Sequence, residues 1–188
     1  MRLFLALEPD AAVRQALAEV SASARRMAGD LASALRWVAA ENLHVTLHFL
    51  GEVDAGGRAR ALRALEAPAA PAADVHLDAL AAFPPSGPAR VLVVSLAPAG
   101  PLERLYREFA GRLIREGLPV EDRPFHPHIT LARLRDRDRR RARGLLPRVR
   151  GVTVPRATWR VDHVTLFESD LSGSQPVYRE VGRAPLEI

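Results

Sequence analysis

The chain has 188 residues, of which 48% are hydrophobic and 26% charged, so it can bury a core of its own. It contains no cysteine, which excludes disulfide scaffolds, thiolate metal sites and cysteine nucleophiles. The net charge is +5, and all 27 basic residues are arginine. A compositional bias toward arginine is the simplest source of this pattern, but the basic surface also suits an anionic partner such as phosphate.

No apolar stretch approaches the roughly 20 residues that a membrane-spanning helix needs. Glu8 interrupts the apolar start too early for a secretion signal. The lack of cysteine fits a reducing compartment. We therefore expect a cytoplasmic protein that has no membrane partner.

The first half of the chain alternates apolar runs with a helical pattern. Asp10 suits the first position of a helix, and apolar side chains follow it at helical spacing. The alanine- and proline-rich stretch at residues 67–73 cannot continue a helix. The predicted elements are strands at residues 3–7, 37–38, 43–50 and 75–80, and helices at residues 10–27 and 58–65.

The second half repeats this alternation after a proline-rich turn at residues 83–88. An amphipathic helix is predicted at residues 102–116, and a charged helix or loop at residues 137–146. Strands are predicted at residues 90–96, 128–134, 152–154, 159–168 and 177–181. Each half thus holds a strand, a helix and a strand with the sequence His-x-Thr-Leu. This plan predicts one α+β domain over residues 1–188, built as a pseudo-duplication.

Three segments match the His-x-Thr-Leu pattern, and they begin at His44, His128 and His163. Six histidines and five threonines placed at random would give 6 × 5/188, or about 0.2, His-x-Thr pairs, so three are not a chance result. Side chains alternate across a strand, so each histidine shares a face with its threonine. The opposite face of the first motif is expected in the core, with Leu43, Val45, Leu47 and Phe49.

Two imidazole–hydroxyl pairs that face each other can cleave a phosphodiester by acid–base chemistry. A neutral histidine takes a proton from water, and a protonated histidine gives one to the departing oxygen. Threonine hydroxyls and nearby arginines can hold the phosphate oxygens as negative charge builds. A single copy is usually an ordinary polar pair, but two copies at corresponding places in a duplicated plan favour a functional interpretation.

The segments around these motifs resemble the two-histidine (2H) phosphoesterases, specifically the RNA 2',3'-cyclic phosphodiesterases once named 2'-5' RNA ligases. The similar segments are residues 2–7 (RLFLAL), 42–52 (NLHVTLHFLGE), 125–133 (FHPHITLAR) and, more weakly, 166–169 (LFES). The resemblance implies a bilobed, pseudo-twofold α+β fold. Its antiparallel sheets line a central cleft, its helices lie on the outer faces, and each lobe contributes one His-x-Thr strand.

The resemblance also implies metal-independent hydrolysis of RNA 2',3'-cyclic phosphate termini to 2'-phosphates, with weak reverse joining through a 2'-5' linkage. It assigns His128 to water activation and His44 to protonation of the leaving 3' oxygen. Thr46 and Thr130 are then expected on the phosphate. Arg133 matches a family position linked to phosphate binding, although strict alternation places it opposite Thr130 unless the strand bulges.

Two further histidines are candidate substrate-binding residues. By alternation, His48 shares the face of His44 and His126 shares the face of His128, so each either lines the cleft or lies in solvent. The third motif is expected to be an ordinary strand pair, because the family strand that matches the segment around His163 lacks a catalytic histidine.

No metal and no other cofactor is expected, because the His126-x-His128 pair has no evident cluster of further ligands around it. The expected partner is RNA with a 2',3'-cyclic phosphate terminus, bound by a monomer. Two alternatives stay open. One is another 2H activity, on small cyclic nucleotides or ADP-ribose cyclic phosphate, and the other is an RNA- or nucleotide-binding module without turnover.

Overall fold

The computed structural model describes residues 1–66, 71–84, 89–121, 124–138, 144–173 and 175–187. The helices in these ranges are α1 (Ala11–Ala28), α2 (Ala55–Glu66), α3 (Ala99–Arg115) and α4 (Leu145–Val149). The strands are β1 (Arg2–Leu7), β2 (Leu35–Trp37), β3 (Val45–Glu52), β4 (Ala73–Phe83), β5 (Val91–Ala97), β6 (His128–Leu134), β7 (Thr158–Val161), β8 (His163–Asp170) and β9 (Val177–Pro185).

The strands form two antiparallel sheets. The terminal sheet has the order β3-β1-β8-β9, and the central sheet has the order β2-β6-β5-β4-β7. Each sheet contains one strand of the duplicated motif, and these two strands, β3 and β6, contact each other. The predicted α+β fold with two antiparallel sheets is therefore confirmed.

A hydrophobic cluster connects both sheets to the helices. Helix α3 packs against β3 and β4, and α2 packs against β8 and β9. The buried residues of α3 recur at helical spacing: Leu102, Leu105, Phe109 and Leu113. Helix α1 begins where the Asp10 carboxylate accepts the Val13 N–H at 2.8 Å and ends at Gly29, whose φ is +58°. No helix in the described ranges is long and apolar enough to span a bilayer.

Several predicted boundaries differ from the structure. Residues 152–154 form no strand, because the strand that pairs with β4 is β7, which starts at Thr158. The predicted strand at 159–168 is divided at Asp162 into β7 and β8, which belong to different sheets. The charged segment contributes a short 3-10 turn (Asp136–Asp138) and leads into α4. Residues 85–88 of the predicted turn and residues 67–70 lie outside the described residues.

Candidate active site

The rings of His44 and His128 are anchored in the same way. In each, Nδ1–H donates over 2.7 Å to the backbone oxygen two residues earlier, which belongs to Asn42 in one case and to His126 in the other. Because a carbonyl oxygen only accepts, the neutral ring carries its proton on Nδ1. Nε2 is therefore the nitrogen through which each ring can transfer a proton.

Each histidine is followed two residues later by its threonine. Thr46 Oγ1 lies 3.1 Å from Nε2 of His44, and with Nδ1 protonated the hydroxyl donates to that nitrogen. Thr130 is half-buried and lines the cavities on both sides of the cleft. The sequence pattern therefore places a hydroxyl beside each half of the cleft.

Two cavities meet between the sheets, and both are lined by Thr130 and Arg133. The His44-side cavity is also lined by Arg36, Asn42, His44, Gln175, Pro176 and Tyr178. The His128-side cavity has a volume of about 510 Å³ and is also lined by Thr46, Phe49, Phe83, Arg90, Phe125 and His128. A small anion at the junction of the two cavities would contact groups from both sheets.

A β-bulge follows the threonine in both strands. The register of β3 against β1 shifts at Leu47, and the register of β6 against β5 shifts at Leu131. A bulge moves the side chains beyond it to the opposite face of the strand. The third residue after each threonine therefore faces the cleft, and these residues are Phe49 in β3 and Arg133 in β6.

The bulges correct two predictions. Phe49, expected in the core, is 41% exposed and lines the His128-side cavity. His48, expected on the face of His44, is 2% exposed, and its Nε2–H donates to the backbone oxygen of Tyr106 over 2.8 Å. Both predictions are wrong because the extra residue, Leu47, interrupts the alternation.

The bulge in β6 likewise brings Arg133 to the cleft. Alternation alone would have buried it behind Thr130, but the bulge at Leu131 puts it on the exposed face. His126 is exposed and lines the His128-side cavity, with its ring stacked 6.1 Å from that of Phe83. In the described ranges, no three histidine, aspartate or glutamate residues form a candidate metal site.

Aromatic rings surround His44. Phe4 lies 5.1 Å from the His44 ring, and Tyr178 meets it edge-on at 5.3 Å. Phe4, Ala6 and Phe167 form a small buried cluster with Tyr178 packed against it, separate from the main core. No local sequence signal pointed to Tyr178, because β9 reaches His44 only through the pairing of the terminal sheet.

This environment lowers the pKa of His44 from its usual 6.5 to about 4. Burial against the rings is the largest cause, because it removes water from the charged form. The Asn42 hydrogen bond and the Glu8 charge raise the pKa, whereas the positive charges of Arg133 and His128 lower it. The protein therefore holds His44 in its neutral form at pH 7.

The residues of the third motif, His163 and Thr165, contact Glu8 and line neither of the two cavities. Thr165 is fully buried, and its hydroxyl donates to Oε2 of Glu8 over 2.8 Å. Arg183 donates to the same oxygen over 3.0 Å, and Nε2 of His163 lies 3.6 Å from it. Glu8 in turn shares a cavity with His44. His163 and Thr165 thus hold a carboxylate whose charge acts on the His44 ring.

A sequence profile described as the 2'-5' RNA ligase superfamily matches residues 9–173. The chain belongs to this superfamily. Two of its relatives are named RNA 2',3'-cyclic phosphodiesterase. The one from Aeropyrum pernix is 32% identical over 146 residues, which cover 77% of this chain and 82% of the relative. The one from Archaeoglobus fulgidus is 31% identical over 135 residues, which cover 72% and 73%.

Solved structures extend the likeness of this superfamily member to the whole fold. TT0787 of Thermus thermophilus superposes with a TM-score of 0.77 at 27% identity, over 99% of this chain and 98% of that one. Escherichia coli LigT complexed with 3'-AMP gives a TM-score of 0.73 at 30% identity, over 98% and 97%. The resemblance drawn from the sequence motifs is therefore confirmed at the level of family and fold.

Proposed function

We propose that this superfamily member hydrolyses RNA 2',3'-cyclic phosphate termini to 2'-phosphates, using His44 and His128 and no metal ion. One observation carries the proposal: two histidines anchored identically through Nδ1 flank a cleft whose cavities meet at Thr130 and Arg133. The name shared by the two relatives supports this substrate, and the 2'-phosphate product follows the family resemblance.

In the proposed reaction, water attacks phosphorus as the P–O3' bond breaks. Nε2 of His128 takes a proton from the water, and Nε2 of protonated His44 gives a proton to O3', which leaves as a hydroxyl. O2' stays bonded to phosphorus, so the product is a 2'-phosphomonoester. His128 then loses its proton to solvent and His44 regains one. This division of roles follows the family resemblance.

Binding of the phosphate supplies the charge that protonated His44 needs. A negative charge about 4 Å away is worth about 4 kcal/mol at an effective dielectric constant of about 20, and about 1.4 kcal/mol changes a proton affinity tenfold. This attraction is large enough to return the pKa of His44 from about 4 to near neutrality. Thr46, Thr130 and Arg133 are proposed to hold the non-bridging oxygens.

The direct test is an oligonucleotide ending in a 2',3'-cyclic phosphate, incubated with purified protein in excess EDTA. We expect one water to be added, measured by mass spectrometry, and the phosphate to stay on O2', measured by phosphorus NMR. An unchanged terminus, a 3'-phosphate product or a requirement for a divalent cation would contradict the proposal. A bell-shaped dependence of kcat/KM on pH is expected from one acidic and one basic histidine.

The same groups can act on a 5'-hydroxyl in place of water: that hydroxyl attacks phosphorus as the P–O3' bond breaks, and because O2' stays bonded the ends are joined by a 2'-5' linkage. Weak 2'-5' joining of RNA ends, the reverse of cleaving such a linkage, is therefore part of the proposal. Turnover of mononucleotide or ADP-ribose cyclic phosphates in preference to oligonucleotides would favour another 2H activity. Binding of 2'-phosphorylated RNA without turnover would favour a binding module. We propose that the enzyme is one bilobed domain and acts as a cytoplasmic monomer, which sedimentation and cell fractionation would test.

A further inference from the structure

The first and third His-x-Thr motifs lie on either side of β1 in the terminal sheet. Ala6 of β1 pairs with Thr46 of β3 on one side and with Thr165 of β8 on the other. Residues that pair directly across antiparallel strands have their side chains on the same face of the sheet. The threonines of the two motifs therefore share one face, with the small side chain of Ala6 between them.

Glu8 lies next to the histidines of both motifs. It follows Ala6 by two residues, and each histidine precedes its threonine by two, so the antiparallel registers place Glu8 between His44 and His163. The observed contacts agree with this register. Nε2 of His163 lies 3.6 Å from Oε2 of Glu8, and Glu8 and His44 line one cavity of about 290 Å³. One carboxylate is thus flanked by the imidazoles of the first and third motifs.

The third motif holds the Glu8 carboxylate in this place. The hydroxyl of Thr165, which is fully buried, donates to Oε2 of Glu8 over 2.8 Å, and Nη2 of Arg183 donates to the same oxygen over 3.0 Å. Nη2 of Arg183 also donates to Glu180 over 2.7 Å, so two carboxylates share one guanidinium. The positive charge of Arg183 therefore does not cancel the negative charge that Glu8 presents to His44.

Glu8 supplies a negative charge where most of the neighbouring charges are positive. Arg36 and Arg133, which pair directly across β2 and β6, line the cavities where the phosphate is proposed to bind, and no carboxylate of the described residues lines them. Glu41 shares the cavity of Glu8 but is exposed, so water screens its charge. Half-buried Glu8 raises the pKa of His44. The titratable and charged side chains around His44 are Glu8, Arg36, Glu41, His128, Arg133 and Tyr178.

We infer that Glu8 is a positioning residue of the proposed reaction: held by the third motif, its carboxylate stabilises protonated His44 until Nε2 gives its proton to O3'. The inference rests on the proposed function for the role of His44 as the acid. Glu8 lines neither of the cavities that meet at the junction, so it acts through the His44 ring and not on the phosphate. The third motif thereby gains a part in the reaction without entering the cleft.

The test is the pH dependence of the single-turnover rate on the cyclic-phosphate oligonucleotide, measured for the parent and Glu8→Gln. Glutamine keeps an oxygen that can accept from Thr165 and Arg183, but it removes the charge. The rate falls above the pKa of the acid in the enzyme–substrate complex. We therefore expect the upper limb of the profile to move about one unit to lower pH, with about a tenfold loss of rate above it. A uniform loss at every pH, or an unchanged profile, would overturn the inference.

Three control variants separate the charge of Glu8 from other effects. Glu8→Asp keeps a carboxylate, so its upper limb should lie closer to that of the parent than to that of Glu8→Gln. Glu180→Gln removes the other carboxylate bonded to Arg183, which does not line the cavity of Glu8. Arg115→Gln removes a charge from the exposed end of α3, outside the cleft. The last two variants should keep the parent profile, and a limb that moves in any of the three as far as in Glu8→Gln would contradict the inference.

Thr165→Val tests the part played by the third motif. It removes the buried donor to Glu8 and nearly keeps the size of the side chain, so the carboxylate can turn toward water, which screens its charge. The upper limb should move in the same direction as in Glu8→Gln, by a smaller amount. In the Glu8→Gln background Thr165→Val should add no shift, because its effect passes through the missing charge. Equal shifts in both backgrounds, or none in the parent, would remove the third motif from the inference.

A measurement without turnover separates this inference from the proposed function. If the parent leaves the oligonucleotide unchanged, the proposed function fails, and NMR titration of the His44 ring in the free protein decides whether Glu8 stabilises the protonated ring. In Glu8→Gln the ring should titrate at lower pH than in the parent, or cease to titrate over the range in which the fold persists. Glu180→Gln should match the parent. The same titration in Glu8→Gln as in the parent would overturn the inference.

Discussion

The two histidine strands share a backbone plan but differ in the side chains beyond the bulge. His44 immediately precedes β3 and His128 begins β6, and in both cases a threonine and then a bulge follow in the same order. Nδ1 of each histidine bonds to the carbonyl two residues before it. After the bulge, β3 presents Phe49 to the cleft where β6 presents Arg133. The duplicated geometry supplies two proton-transfer groups, and the divergence gives an arginine to β6 but not to β3 at this position.

The surroundings of the two rings differ as well. His44 is enclosed by Phe4 and Tyr178, and burial lowers its pKa to about 4. His128 lies beside the ring of Phe83, at 5.3 Å. Because Phe4 and Tyr178 hold His44 neutral, the ring proposed as the acid gains its proton when the negatively charged phosphate binds beside it. The repeat therefore sets the positions of the two rings, while the burial of His44 sets when that ring is charged.

Removing either histidine should have the largest effect. We expect His44→Ala and His128→Ala each to lower kcat by about 10²–10⁴, because each removes one proton-transfer step. The double variant should be little worse than either single variant, since the two groups act as a unit. The control is His76→Asn in β4, which lines none of the cleft cavities and should stay within about twofold of the parent.

Single-turnover rates on the cyclic-phosphate oligonucleotide measure these losses. If either alanine variant kept the parent rate, that ring would not transfer a proton in the reaction, and the equivalence of the two strands would be structural only.

The next effect tests the asymmetry between Phe49 and Arg133. Arg133→Gln should lower kcat/KM about 10- to 100-fold, because a charge-assisted contact to phosphate is lost. It should also raise the pKa of His44, since the Arg133 charge lowers that pKa in the parent. NMR titration of the His44 ring measures the second effect, and Arg115→Gln is the matched control. A pKa of His44 that fell or stayed constant would contradict the placement of Arg133.

The next, smaller effect is on the pH dependence of stability, and it tests whether His48 is buried outside the cleft. Burial lowers the pKa of His48, so the folded protein holds it neutral while the unfolded chain gains a proton below about pH 6.5. The free energy of unfolding should therefore fall as the pH falls from about 7 to about 5. His48→Gln can keep a donor for the Tyr106 oxygen and should reduce this pH dependence.

Urea unfolding of parent and His48→Gln at neutral pH and at about pH 5 measures the difference. Because His48 lies outside the cleft, the KM of the variant at neutral pH should remain within about threefold of the parent. A large rise in KM with an unchanged pH dependence of stability would instead indicate that His48 contacts the substrate.

The smallest expected effect concerns Arg36. Replacing it with glutamine relieves the repulsion with Arg133 and should raise the free energy of unfolding at low salt by about 0.2–1 kcal/mol. The gain should shrink at about 1 M salt, where charges are screened within about 3 Å. Arg115→Gln should show no such gain. Destabilisation by Arg36→Gln would mean that the packing of this side chain on β2 contributes more than its repulsion with the directly paired Arg133 costs.

Much of the architecture could be predicted from the chain because its signals are local. Helical spacing and the Asp10 cap located α1, a continuous apolar run located β1, and period-two alternation located β6; both strands were predicted within one residue of their observed ends. Residues 152–154 show the limit of this approach. They have the composition of a strand, but a strand also needs a neighbouring strand for its backbone hydrogen bonds. In the folded protein the strand that pairs with β4 at this edge of the central sheet is β7.

Residue identity and short spacing were enough to indicate the family and the pairing of each histidine with its threonine, because both are written within a few residues of each other. The two sheets were expected only through the family resemblance. Which later side chains reach the cleft depended instead on tertiary pairing. The bulges arise against β1 and β5, strands far away along the chain, and they send His48 inward and Arg133 outward. The protonation of His44 depended on the same long-range contacts, because the rings that exclude water from it come from β1 and β9, which meet only in the folded sheet.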